Sequence, residues 1–325
     1  MSTVKLPFAL FLLTILSAAA CGARSVVDDG GATISGSTGN PPDAGPDAMD
    51  AKDATQDALP DVQDAAPDAP PLCGEDAGVV PMYVISSGKL YTFDPPTAAF
   101  SLIGQLDCPG FPAALPQAMS MAVDHTGKVY LQDSKGAPWI LNTSNASCEP
   151  LGWAPLPLPP VSGRYMSFAA NVPGMGETLF EARYGNSAVA QLATIDVETG
   201  KRTIVGELPS PIGGVFPAGT SDGTLYALIV NSKDTDVHLT ELDKTSASLL
   251  SDQIVPVKKV PFSYYPFSSF AAWGGVFYLF TYFDHLVVSE YRPATGELKE
   301  LVTDSKGLGT VVVGTSVCAA SPVTP

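Results

Sequence analysis

The chain has 325 residues, with 30 glycines, 30 prolines and 33 acidic against 17 basic side chains, for a net charge of −16 at pH 7. That balance excludes a nucleic-acid partner, whose phosphates an acidic protein repels. Its five cysteines are an odd number, which in an exported chain calls for one of them to be otherwise engaged.

In chain order, residues 1–20 come first. One basic residue, Lys5, precedes an apolar run from Leu6 to Leu16, followed by Ser17-Ala18-Ala19-Ala20 and then Cys21. The run is too short to span a bilayer and has the layout of a signal peptide. The small residues just before a cysteine resemble a bacterial lipobox. The resemblance implies cleavage before Cys21, a diacylglycerol on its sulfur and an acylated amino group. The other reading, cleavage at the Ala-x-Ala pattern with Cys21 left as a thiol, keeps an odd cysteine in a secreted chain. A lipid-anchored protein of the cell envelope is therefore expected, touching the membrane only through its lipid. Gly22 rather than Asp follows the cysteine, so the outer membrane is expected.

Residues 21–72 form a tether. The near-repeat "PDAGPDAMDAKDATQDALPDVQDAAPDAP" holds almost no large apolar groups and is expected to be disordered. Between residues 22 and 78, twelve acidic residues face only Arg24 and Lys52, so most of the negative charge lies in this leash. The aspartates lack the spacing and glycine of a calcium loop, so a solvated spacer is expected and no metal site.

Residues 73–325 suit one large all-β domain. Five copies of a turn recur: "FDPPTA" from Phe93, "LNTSNA" from Leu141, "IDVETG" from Ile195, "LDKTSA" from Leu242 and "YRPATG" from Tyr291. Each pairs an apolar residue with a polar turn starter and ends on Ala or Gly, where positive φ is accommodated. The copies are 47 to 54 residues apart. Glycine turns before aromatic strands recur at Gly127, Gly176, Gly223 and Gly274, and small-residue segments recur at "SMAV" (Ser120), "SFAA" (Ser167), "PAGT" (Pro217) and "SFAA" (Ser269). Four strands in about 50 residues predict a five-bladed β-propeller with four-stranded blades. "SFAAWGGVFYLFTYF", interrupted by Gly274-Gly275, reads as two strands about a turn rather than as a membrane span.

The first unit lacks the small-residue strand, and "LGTVVVGTSV" near the C-terminus has no unit of its own. The two are expected to complete one blade, closing the ring from both ends of the domain. Cys73 and Cys318 flank that seam; a bond between them would leave Cys108 to pair with Cys148. Four cysteines allow three connectivities, and the sequence does not choose.

The T-G-K turn of Thr199-Gly200-Lys201 resembles the repeats of bacterial YVTN-type and quinoprotein-type propellers. The resemblance implies the fold. The docking Trp of the quinoprotein repeat has no counterpart in Arg202–Val205 or in Glu300–Val302, so no cofactor is expected.

Chemistry is sparse. His125, His238 and His285 lack metal-ligand spacing. "GTSDG" around Ser221 matches G-x-S-x-G, but a strand follows where a nucleophile elbow needs a helix. The inner-strand segments are small and apolar, with Asp124 assigned to a turn, which does not suit acid–base catalysis. The segments joining one unit to the next are rich in proline and aromatics: Phe111, Trp153, Tyr165, Phe216, Tyr264 and Tyr265. They either cap the core or present a binding surface for an envelope protein or glycan. The expected function is a monomeric binding or scaffold module without catalytic residues. The alternative is a hydrolase or lyase acting on an envelope polysaccharide or peptide at the propeller mouth.

Overall fold

The computed structural model describes Cys73 and residues 80–109, 118–133, 136–154, 163–173, 175–184, 189–209, 212–231, 236–257, 267–282, 284–302 and 307–318. The signal segment, Cys21, the tether, Phe111, Tyr264 and Tyr265 lie outside them. Among the described residues no helix is long and apolar enough to cross a membrane.

The strands group into five four-stranded antiparallel sheets. Blade 1 contains β1 (Met82–Ser86), β2 (Lys89–Asp94) and β3 (Ala99–Gln105). Blade 2 is β4 (Ala118–Val123), β5 (Val129–Asp133), β6 (Pro138–Leu141) and β7 (Cys148–Pro150). Blade 3 is β8 (Gly163–Val172), β9 (Met175–Tyr184), β10 (Gln191–Ile195) and β11 (Arg202–Glu207). Blade 4 is β12 (Ile212–Gly219), β13 (Leu225–Asn231), β14 (Val237–Leu242) and β15 (Gln253–Val255). Blade 5 is β16 (Phe267–Trp273), β17 (Val276–Tyr282), β18 (Leu286–Arg292) and β19 (Glu297–Val302). The last strand, β20 (Val311–Gly314), pairs with β1 through Tyr83↔Gly314 to Ser86↔Val311 and completes blade 1. The ring therefore closes as the sequence implies, and neither terminal strand leaves a bare edge at the seam.

The inner strands β20, β4, β8, β12 and β16 each pack on the next, around an axis. Their small residues are what permit this. A Cβ on Gly219 would run into the Phe168 carbonyl and Ala169 of the neighbouring inner strand. The recurring serine of these segments acts as a staple between blades. Ser120 Oγ accepts a hydrogen bond from Met166 N (2.6 Å), Ser167 Oγ from Gly219 N (2.9 Å) and Ser269 Oγ from Val313 N (3.0 Å). Ser120 and Ser269 are themselves buried and so need such a partner.

Middle strands are buried on both faces, so their two alternating residue sets serve different neighbours. In β1, Tyr83 and Ile85 pack toward blade 2, whereas Met82 and Val84 pack toward blade 5. The apolar core is accordingly five clusters, one at each blade–blade interface.

The five recurring turns explain their own repetition. Their first residues, Phe93, Leu141, Ile195, Leu242 and Tyr291, are all at most 3% exposed. The second residue's side chain caps the turn in four blades; Asp243 Oδ1, for example, accepts from Thr245 N and Thr245 Oγ1. The last residue has positive φ in every copy, between 53° and 72°. At that position Ala146 and Ala247 bury their methyls in the interface with the preceding blade. In blade 3 the residue is Gly200, and the Trp153 ring occupies the space a methyl would take. The hairpin is an interlock: its core-facing residue anchors it, and its tip seats on the outer edge of the previous blade.

Both disulfides join segments that are distant in the chain. Cys108, just past β3, bonds Cys148 of β7, beside the bridge in which Cys148 N donates to Asp107 O (2.9 Å). Cys73 bonds Cys318, 245 residues away. Beyond β20 the chain turns across the end of the inner strands, where Val317 and Cys318 are buried against Ala122, Tyr130, Met166 and Phe168.

Candidate functional site

Two concave places stand out among the described residues, both at the end of the ring where β4, β8, β12 and β16 terminate. The wider is a groove between blades 2 and 3, lined by His125, Tyr130, Glu177, Thr194, Lys201 and Thr203 among others. Asp124 starts the β4–β5 turn, its Oδ1 accepting from Thr126 N and Lys128 N (both 2.9 Å). That turn presents His125 to Glu177, on β9 of the next blade. His125 N donates to both carboxylate oxygens (3.0 and 3.2 Å), and Nδ1 lies 2.8 Å from Oε1. The Glu177 side chain is only 8% exposed, and burial pushes its carboxyl pKa up despite the bonds from His125. With Nδ1 turned to the carboxylate, Nε2 is the nitrogen left to meet a ligand. Burial, the nearby Asp124 and Glu177 charges and a bond to Asp124 push the Tyr130 hydroxyl up to about 12. On the far wall, Asp196 is engaged by its own turn through Glu198 N and Thr199 N. Those bonds, chiefly with Thr199, hold its pKa below the ordinary carboxylate value.

The second place is a pocket of about 160 Å³ at the axial mouth, between the first turns of blades 4 and 5. The β12–β13 turn contributes Thr220, Ser221 and Asp222, blade 5 contributes Trp273 and the Gly274-Gly275 turn, and Ser316 and Val317 form a wall. Tyr226 lines it too, its ring edge-on to Phe277 at 4.9 Å. Ser221 sits in a tight hairpin turn between two strands, so the G-x-S-x-G match has no nucleophile-elbow geometry.

Behind the groove lies a buried charge cluster. Glu181 of β9 is fully buried and meets Arg202 of β11 (Nε–Oε2, 2.5 Å) and Arg164 of β8 (Nη1–Oε1, 3.8 Å). Strand alternation places Arg164 and Glu181 on the face that carries Met166, Phe168 and Leu179 toward blade 2. Burial lowers the pKa of Arg164 and of the neighbouring Arg183, which donates to Gln191 Oε1 (3.1 Å).

Of the aromatics picked out in the connecting segments, the three described, Trp153, Tyr165 and Phe216, do not form one surface. Trp153 is stacked on Tyr130 (6.2 Å, 19°) and lies against Gly200, at the interface of blades 2 and 3. Tyr165 and Phe216 are strand residues of β8 and β12, not loop residues. Their rings meet at 4.3 Å, Tyr165 stacks on Tyr184, and Phe216 is 5% exposed. With Phe270 they line a cavity of about 10 Å³ between the inner strands, room for roughly one water. These two side chains fill the axis, because strands β8 and β12 begin earlier than the proline-rich stretches suggest. Of the expected binding aromatics, the described ones serve packing.

No family model matches the chain, and no curated protein does. Among solved structures, the chain is similar to one titled "Crystal structure of Nidogen/Laminin Complex", at 13% identity and a TM-score of 0.42, covering 72% of this chain and 81% of that one. A second, Kuenenia stuttgartiensis hydrazine synthase, shows 12% identity and a TM-score of 0.39, covering 68% of this chain and 62% of that one. The class of the domain, a five-bladed β-propeller, rests on its own sheet topology.

Proposed function

We propose that the protein is an exported lipoprotein whose propeller, held to the outer membrane by a lipid on Cys21 and a disordered tether, binds an envelope glycan or protein as a monomer. The observation that carries this reading is the cysteine arrangement. Two cystines account for Cys73, Cys108, Cys148 and Cys318, and Cys21, after a signal-like segment, is the one left for the lipid. Cystines of this kind form in oxidising compartments. The carboxylates Asp124 and Asp196 at the mouth end are engaged in their own turns, which favours recognition over acid–base chemistry. The test has two arms. Cys21→Ser is expected to release the protein from membranes and to abolish fatty-acid labelling, and a variant that still pellets with the envelope overturns the anchor. Capture from a solubilised envelope by the immobilised protein is expected to retain a glycan or protein that excess free protein releases, and retention of nothing overturns the binding reading.

A second reading, hydrolysis or elimination on an envelope polysaccharide, is favoured by the His125–Glu177 pair alone. Turnover of envelope polysaccharide by the wild-type protein, abolished in His125→Gln, would replace the binding reading.

A further inference from the structure

The geometry points to the axial mouth pocket between blades 4 and 5 as a binding site for a single neutral pyranose, the end residue of a glycan; this rests on the reading of the propeller as a binding module. Four features of the pocket converge on that ligand class. First is size: about 160 Å³, open on one side, suits one six-membered sugar ring with its chain leading out to solvent. Second is the alternation of surface. Trp273 and Tyr226, both partly exposed, offer apolar ring area, while Thr220, Ser221, Asp222 and Ser316 offer hydroxyl and carboxylate groups. A pyranose has the matching character, an apolar C–H face and a rim of hydroxyls that both donate and accept.

Third is charge. Among the described residues lining it, Asp222 is the only ionisable acid or base besides the Tyr226 phenol. Burial opposes its ionisation, but bonds from Thr220 Oγ1 and Thr224 N (2.9 Å) outweigh that and hold its pKa below the usual carboxylate range. Lys244 interacts with Asp222 from outside the pocket lining, and the carboxylate itself accepts from sugar hydroxyls while disfavouring uronates and phosphates brought against it. Fourth is access. Gly274 and Gly275 both have positive φ, 60° and 75°, so this rim is bare backbone with no side chain standing over the opening. The wall of Ser316 and Val317 is held in place by the neighbouring Cys73–Cys318 bond.

The test is titration calorimetry of the purified full-length protein in detergent with glucose, galactose, N-acetylglucosamine, glucuronate and lysine. At least one neutral sugar is expected to bind with a Kd on the order of 1 mM, as suits a shallow pocket for one ring. Glucuronate, which carries a like charge, is expected not to compete, and lysine, which offers Asp222 a cation but no sugar face to Trp273, is expected to bind more weakly than the neutral sugar. Asp222→Asn keeps an Oδ1 acceptor for the turn and is expected to weaken the sugar about tenfold, an effect of one charge-assisted bond. Trp273→Ala is expected to abolish binding, and Trp273→Phe, the safer change for folding, to weaken it several-fold at an unchanged melting temperature. No neutral sugar bound up to roughly 50 mM, equal binding of lysine, or an affinity unchanged in both Asp222→Asn and Trp273→Phe overturns the inference. Envelope capture repeated with Trp273→Phe separates the two levels. Capture without any sugar binding sinks the pocket and leaves the binding module, whereas neither capture nor sugar binding by the wild-type protein sinks both.

Discussion

The interface between blades 5 and 1 and the interface between blades 2 and 3 do the same geometric job with different chemistry. The first is apolar and aromatic: Phe93 meets Phe100, Tyr278 and Phe280 with ring centroids 4.8 to 6.2 Å apart, and Met82, Val84, Leu286 and Val288 fill in around them. The second is a smaller apolar cluster flanked by the Glu181–Arg202–Arg164 network on one side and by His125–Glu177 on the other. Apolar burial stabilises without regard to partner geometry, at about 25 cal/mol per Å². A buried ion network does so only while every member is present. The chain adds further support to the second interface: the tail residues Val317 and Cys318 pack over it, fastened by Cys73. One seam is held by area, the other by partnership and a covalent clasp.

The largest effect expected to break this contrast is removal of the clasp. Cys73→Ser with Cys318→Ser opens a loop of 245 residues, for which chain entropy gives a loss of about 5 kcal/mol. Hydrogen exchange should rise first in β1 and β20 and at the blade 2–3 contact beneath Val317. Uniform deprotection of all five blades would show instead that the ring unfolds as one body. Next comes the aromatic seam. Phe280, fully buried, is expected to lose about 4 kcal/mol on mutation to Ala, read from chemical denaturation, with no dependence on salt. Glu181→Ala is expected to lose about 3 kcal/mol by leaving the arginines without their carboxylate. Replacing Glu181, Arg164 and Arg202 together by Leu and Met should recover most of that loss. A triple variant no better than Glu181→Ala would mean the network is doing something other than satisfying itself.

The smallest effect is a pH dependence confined to the second seam. The folded-state pKa of Glu177 is raised, so the folded protein keeps its proton after the unfolded chain has lost it. Stability contributed by this group is present below the ordinary carboxylate pKa and falls as pH rises from there through the raised value, with a slope of at most about 1.4 kcal/mol per pH unit. Denaturation midpoints measured across that window should show the slope in the wild type and lose it in Glu177→Gln, where the carboxyl no longer titrates.

The ring and its closure were legible in the sequence, and the charged seam was not. Propeller blades are local: the turn at Ile195–Gly200 and the strand after it announce themselves within a dozen residues, and the same signature repeats five times. Closure by β20 followed from counting strands. The charge network joins Arg164, Glu181 and Arg202 from three strands, and the groove pairs His125 with Glu177 across 52 residues, with no spacing rule to link them. A signal did exist, since Arg164, Glu181 and Arg183 lie in strands whose neighbours are buried on both faces, where a charge needs a partner. Trp153, read as a loop aromatic, owes its place to the missing methyl of Gly200, a complement visible only when the two blades are side by side. The axial packing of Tyr165 and Phe216 was hidden because prolines nearby suggested loops where strands had already begun.

The position of Cys73 also decides how the domain takes load. A pull arriving along the chain from its N-terminal side enters at a covalent bond to Cys318, next to the register where β1 and β20 begin their pairing at Tyr83 and Gly314. The force is thus shared by two antiparallel strands of one blade, and β1 cannot be unzipped from the ring residue by residue. Tension that would peel the end of an open sheet meets a covalent bond first, so the seam is expected to part only when the cystine is reduced or the whole ring gives way.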